Sequence, residues 1–143
     1  MKLADTNIWL ALALSGHEHH ARVSEWIRQL SSEPIAFCRM TQVSTLRLLT
    51  TRAVFTPFGI PPLSNGQAWE IYRRFRADSR VVFVLEPPEL DDRWRELSDG
   101  PLSSPKQWMD AYLAAFAIAG GHQLVSTDSA FTAIQGLDLL VLG

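Results

Sequence analysis

Short runs of β-branched and apolar residues alternate with longer helical stretches along the whole chain, and this alternation leaves few folds open. Strands separated by helix-length connections pair in parallel, and the connecting helices must then cover the sheet. The strand runs are Lys2–Ala4, Ile35–Met40, Val81–Leu85, Gln123–Ser126 and Leu139–Leu142. Between them the pattern predicts helices over Ile8–Leu14 and His19–Leu30, the second carrying Val23, Trp26, Ile27 and Leu30 at helical spacing. Thr41 is expected to cap a helix to about Leu49 with Val43, Leu46 and Leu49 on one face, and Ser64 to cap the next. Phe55–Pro62 reads as a loop, Pro87-Pro88 opens a polar helix through Leu97, and Ser129–Ile134 is a short helix. Ser104-Pro105 is expected to start the helix that runs to Ala119, with Gly120-Gly121 ending it. The expectation is an α/β fold, a central parallel sheet with helices on both faces, in one domain over residues 1–143.

Hydrophobic residues make up 47% of the chain and charged residues 20%, enough for a packed core. The longest apolar stretches fall short of the ~20 residues of a membrane-spanning helix. The N-terminus lacks the basic flank, apolar stretch and cleavage site of a signal peptide. The single cysteine, Cys38, fits a reducing cytoplasm. A net charge of −2 argues against a protein that coats phosphates non-specifically, but a nuclease with an acidic metal pocket remains compatible with it.

In an open parallel sheet, ligands bind beyond the carboxyl ends of the strands, where strand order reverses. Asp5 follows the first strand and Asp128 the fourth. Asp110 lies early on the helix before the fourth strand, beside the small apolar residues Leu113, Ala114 and Ala117, so its carboxylate is expected to point inward. Each acid also has an ordinary structural explanation: Asp5 and Asp128 are good caps, and an acid in a first helical turn gains from the dipole. Together they suggest a site. Converging carboxylates repel one another unless a cation neutralises them, and oxygen-only ligands suit Mg²⁺ or Mn²⁺ better than zinc.

The segments Leu3-Ala4-Asp5-Thr6-Asn7, Trp108-Met109-Asp110-Ala111-Tyr112-Leu113-Ala114-Ala115 and Val125-Ser126-Thr127-Asp128-Ser129-Ala130-Phe131 resemble the PIN domain, and more closely the VapC toxins of toxin–antitoxin pairs. The resemblance covers essentially the whole chain. It implies a PIN-like fold and a metal-dependent endoribonuclease, dimeric and held inactive by a cognate VapB-like antitoxin. It further implies that Asp5 and Asp110 ligate metal, that Asp128 helps directly or through water, and that Asn7 orients Asp5. Thr6 stands beside the first acid, and Thr127 matches a hydroxyl position able to bond Asp5 or a phosphate. In such an enzyme a metal-activated water attacks phosphorus and leaves a 5′-phosphate.

One departure stands out. The family usually carries a glutamate on the helix after the second strand, and Thr45 occupies that place here, with no acid anywhere between Glu33 and Glu70. A second metal is therefore not expected. Glu86, at the end of the third strand, is a weaker candidate for the missing charge. Arg39 and Arg47 are the expected RNA contacts, whereas Arg73, Arg74 and Arg76 read as a solvated helix face. His17, His19 and His20 lack a second ligand group and read as a solvated helix entrance. Trp26, Trp69, Phe75 and Trp94 fall at helical apolar spacings and read as core or dimer contacts, with several expected from the resemblance to cover an antitoxin groove. Two other functions are weighed. An aspartate-nucleophile phosphatase needs a second acid where Asn7 stands; a PIN-like binding module with impaired catalysis finds its support in Thr45.

Overall fold

The computed structural model describes residues 1–143. Five strands, β1 (Lys2–Ala4), β2 (Ile35–Phe37), β3 (Val81–Phe83), β4 (Gln123–Ser126) and β5 (Leu139–Val141), form one sheet in the order β3-β2-β1-β4-β5. All four pairings are parallel. Strand order reverses between β1 and β4, where Leu3 pairs with Leu124 and Ala4 with Val125. That junction is the switch point of a parallel sheet.

Alternation along each strand builds two cores, one on each face. Leu3, Ala36 and Leu124 pack against α6 (Leu90–Ser98) and α7 (Gln107–Gly120) through Leu90, Leu113 and Phe116. Ala4, Ile35, Phe37 and Val125 pack on the other face against α1 (Thr6–Ala13), α2 (His20–Gln29) and α5 (Asn65–Ala77), through Ile8, Trp9, Val23 and Tyr72. Trp9 lies flat on Phe37, with ring centroids 3.7 Å apart, and its indole N–H donates to the Ala4 carbonyl at 3.2 Å. These contacts fix the start of α1, and so Asp5, against the sheet. No helix is long and apolar enough to cross a membrane.

Several element ends differ from the sequence expectation. β2 stops at Phe37, and α3 (Arg39–Leu49) begins from Cys38; Thr41 is its third residue, where its hydroxyl accepts from the Cys38 N–H at 3.0 Å. A threonine in the first turn can satisfy the cap residue's amide instead of capping the helix itself. Val43 is half exposed; Leu46 and Leu49 do pack inward, and Thr41, Gln42 and Thr45 are buried on α3 as well. The stretch expected as loop from Phe55 includes the end of a short helix, α4 (Arg52–Phe55), and a 3₁₀ turn over Thr56–Phe58. Ser64 does cap α5, accepting from Gln67 N–H at 3.1 Å. The last element before β5 is a 3₁₀ helix over Ser129–Ala133. α7 starts at Gln107, since Ser104 to Lys106 form a turn in which the Ser104 carbonyl accepts from Gln107 N–H. Gly121, at φ 68°, terminates α7 in the left-handed region that favours glycine.

Candidate active site

Asp5 leaves β1 at the switch point and caps α1. Its backbone N–H donates to the Val125 carbonyl at 2.9 Å, which continues the β1–β4 ladder one residue past the strand. Its side chain is held by three donors. Thr6 N–H donates to Oδ1 at 2.7 Å, while the Ser126 hydroxyl at 2.8 Å and Asn7 Nδ2 at 3.1 Å donate to Oδ2. Capping α1 leaves the rest of this carboxylate free to serve a site. Oδ1 accepts only one of these bonds and retains a lone pair for another partner.

Asn7 is the crosspiece of this network. It also donates to the Ser126 hydroxyl and accepts the Thr127 N–H through Oδ1, both at 3.1 Å. Thr127 thus contributes its backbone, and the hydroxyl on Asp5 belongs to Ser126, one residue earlier than expected. The reason is strand alternation: Leu124 and Ser126 project to the same face, and the last residue of β4 lies across from the end of β1. Asp128 in turn caps the 3₁₀ helix, accepting from Ala130 N–H at 2.9 Å, and its own N–H donates to Ser126 Oγ at 3.0 Å.

Asp110 is the fourth residue of α7 and half-buried. Lys106, one turn earlier, lies on the same side of the helix and was not singled out in the sequence; its signal was the spacing of four from an acid. Lys106 Nζ is 3.7 Å from Asp128 Oδ2.

The electrostatics tie these groups together. Burial, helped by the negative charges of Asp110 and Asp128, pushes the Asp5 carboxyl up to about 6 against the pull of its Ser126 and Thr6 bonds. Burial also raises Asp110; the Lys106 ammonium lowers it and Asp128 raises it again. The three acids are therefore electrostatic neighbours. They do not close into a tight cage, because no three Asp, Glu, His or Cys side chains converge closely enough for one.

A hydrated divalent cation fits these residues. The donors are all hard oxygens, which such ions prefer, and water completes the shell of Mg²⁺ where protein ligands are few. A nearby positive charge would also favour the ionised form of Asp5 that burial disfavours. The hydroxyl of Thr6, buried next to Asp5, has no partner in the protein and could bond such a water.

The other expected residues make contacts of their own. Thr45 is fully buried, and its hydroxyl donates to the Thr41 carbonyl at 2.7 Å. Glu86 accepts the Tyr112 hydroxyl at 2.7 Å, and burial together with this bond raises the phenol. Arg39 opens α3 just beyond the end of β2, on the same edge of the sheet as Asp5, and lies 4.6 Å over the Phe83 ring. Arg47 lies two turns along α3, which runs away from that edge, and lines a cavity of about 210 Å³ with Thr50 and Trp69.

The family model for the PIN domain matches residues 2–137. Ribonuclease VapC41 of Mycobacterium tuberculosis is 50% identical over 144 residues, 99% of each chain. Two solved structures share the fold at low identity. VapC20 of M. tuberculosis, described as a toxin that cleaves the sarcin–ricin loop, superposes with TM-score 0.66 at 17% identity, over 96% of this chain and 98% of its own. VapBC2 of Rickettsia felis, bound to a DNA fragment from its promoter, gives 0.64 at 16% identity, over 99% and 98%.

Proposed function

Because the chain belongs to the PIN domain family, and within it to the VapC ribonucleases, we propose that it is an RNA-cleaving toxin whose phosphodiester hydrolysis is centred on Asp5, Asp110 and Asp128. One observation supports the reading: three carboxylates near the sheet's switch point repel one another electrostatically, and burial is the main reason that one of them, Asp5, has its pKa raised to about 6. Such charge concentration is unfavourable unless a cation resides there, and perturbed acids cluster at functional sites.

Asp5 and Asp110 would hold a divalent ion, Mg²⁺ or Mn²⁺. Bound there, it supplies charge stabilisation at a phosphate oxygen and a water of lowered pKa. The chain's own groups do the rest. Asn7 and Ser126 hold the Asp5 carboxylate in one orientation, and Asp128 orients the attacking water. Lys106 and Arg39 meet the negative charge of the strand. In the balanced reaction water adds to phosphorus, the bond to the 3′ oxygen breaks, and the water's proton ends on that oxygen, leaving a 5′-phosphate and a 3′-hydroxyl.

The partner implied is a VapB-like antitoxin, with a homodimer as the working assembly. The purified chain, freed of antitoxin, should cut RNA with Mg²⁺ or Mn²⁺ and stop in EDTA. A second reading, a PIN-like binding module with impaired catalysis, draws on the buried Thr45 at the family's glutamate position. It would be adopted if the chain bound antitoxin yet cut no RNA under any metal condition.

A further inference from the structure

Between α6 and the segment 99–108 lies a cavity of about 570 Å³ that the chemistry above does not use. Its wall carries Trp108, which is 60% exposed, a large apolar surface for a single side chain to leave in water. The ring is held ready. Trp94 meets it edge-on, with centroids 6.3 Å apart at 83°, and the Trp94 indole N–H donates to the Trp108 carbonyl at 2.9 Å. Trp94 is braced in turn by Tyr112, edge-on at 5.3 Å. An exposed aromatic face fixed in a concavity is pre-organised for a planar partner, so little side-chain entropy is lost on contact.

The lining says which part of a nucleotide would enter. Asp91 and Asp99 stand at the cavity, and its one arginine, Arg95, lies 3.8 Å from Asp99. Two carboxylates disfavour a phosphate there, whereas the serine hydroxyls and carboxylates suit a base edge carrying amino groups. Leu102, 84% exposed, shares the wall with Trp108, and the serines and carboxylates complete it. Lys106 connects the cavity to the acids: it lies between Pro105 and Gln107, which line the cavity, and its Nζ reaches Asp128. Trp108 and Asp110, two residues apart, point to opposite sides of α7, so a strand joining them crosses the helix's N-terminal end, a breadth of about 10 Å.

We propose that this cavity is a stacking subsite for one base of single-stranded RNA, with Trp108 as the platform and Lys106 drawing the backbone across to the acids. The occupied nucleotide is then one or two removed from the scissile bond. The assignment rests on the ribonuclease reading, and it gives a reason for single-stranded selectivity, because a paired base cannot leave its stack without an energetic cost.

The test is binding of a labelled single-stranded oligoribonucleotide to the full chain by fluorescence anisotropy in EDTA, where no cleavage occurs. Trp108→Ala should weaken binding about tenfold, the order expected for one stacked base. Trp108→Phe should recover most of the loss, and Trp69→Ala, at an exposed tryptophan elsewhere, should leave it unchanged. Duplex RNA of the same composition should bind Trp108→Ala and the unsubstituted chain alike. Unchanged single-strand binding by a folded Trp108→Ala, or equal losses for single strand and duplex, would overturn the stacking role. So would a variant that loses antitoxin affinity and keeps RNA affinity, which would give the cavity to the protein partner. If the unsubstituted chain cuts RNA while Trp108→Ala is silent, only the subsite fails. If the unsubstituted chain neither binds nor cuts RNA, the ribonuclease reading fails as well.

Discussion

The hydroxyl of Ser126 donates to Asp5 Oδ2 across 2.8 Å, joining the ends of two strands that lie 121 residues apart in the chain. The same oxygen accepts from Asn7 and from the Asp128 N–H, so one side chain links three of the residues around the site. Ser126 is fully buried, and each of these bonds depends on the register of β1 against β4.

Ser126→Ala should therefore act on chemistry and stability together. The bond favours the ionised form of Asp5, so its loss should raise the acid limb of the pH–rate profile above its wild-type position. Stranding the Asp128 N–H and the Asn7 amide should lower unfolding free energy by about 1–3 kcal/mol. Ser126→Thr, which keeps the hydroxyl, should restore the pH midpoint at least in part. A variant with an unmoved midpoint would remove Ser126 from control of Asp5.

Metal-free stability should fall as pH rises. The Asp5 carboxyl has a folded pKa of about 6, above its ordinary 3.8, so between these values the folded chain binds more protons than the unfolded one. This group's cost is absent below about pH 4 and complete above about pH 6, reaching roughly 3 kcal/mol before any relaxation of the site. Mg²⁺ should cancel much of it, raising the melting temperature more at pH 7.5 than at pH 5. Asp5→Asn should make the metal-free protein more stable at pH 7.5 and abolish the Mg²⁺ increment. Calorimetry with and without EDTA measures both. An increment independent of pH would contradict the assignment.

Thr45→Glu should not simply restore the family's usual acid. Thr45 is fully buried with its hydroxyl already bonded within α3, so a longer carboxylate there is both overpacked and desolvated. A loss of at least about 2 kcal/mol is expected in denaturant titrations at pH 7.5, smaller at pH 5 where the acid can be neutral. Stability equal to wild type at both pH values would mean that the position opens onto the site.

Glu86→Gln should leave metal affinity within about twofold of wild type, because the carboxylate is already engaged by the Tyr112 hydroxyl. A tenfold loss in a metal titration would restore Glu86 as the missing charge.

Much of this was legible in the sequence where a local rule sufficed. The alternation of strands and helices set the parallel sheet, and strand ends followed by aspartates marked the edge where the candidate site lies. The stop at Gly121 and the cap at Ser64 followed from residue chemistry alone. What escaped depended on partners far along the chain. Ser126 rather than Thr127 bonds Asp5 because of the β1–β4 register, which no single segment encodes. Glu86 finds Tyr112 only once β3 and α7 are placed. Ser104-Pro105 carries a strong start signal, yet the helix forms from Gln107, where Trp94 fastens the first turn through the Trp108 carbonyl. On α3, Leu46 and Leu49 pack inward as their spacing predicts, while Val43 turns outward and Thr41, Gln42 and Thr45 are buried.

The most direct test of the acidic centre is Mn²⁺ binding, followed by electron paramagnetic resonance on the full chain and on Asp5→Asn, Asp110→Asn and Asp128→Asn. One ion per chain should bind, with affinity at least about tenfold weaker in the Asp5 and Asp110 variants and a smaller loss at Asp128, each tracking its loss of RNA cleavage. Wild-type Mn²⁺ affinity in the Asp5 and Asp110 variants, or full cleavage by Asp110→Asn, would contradict it.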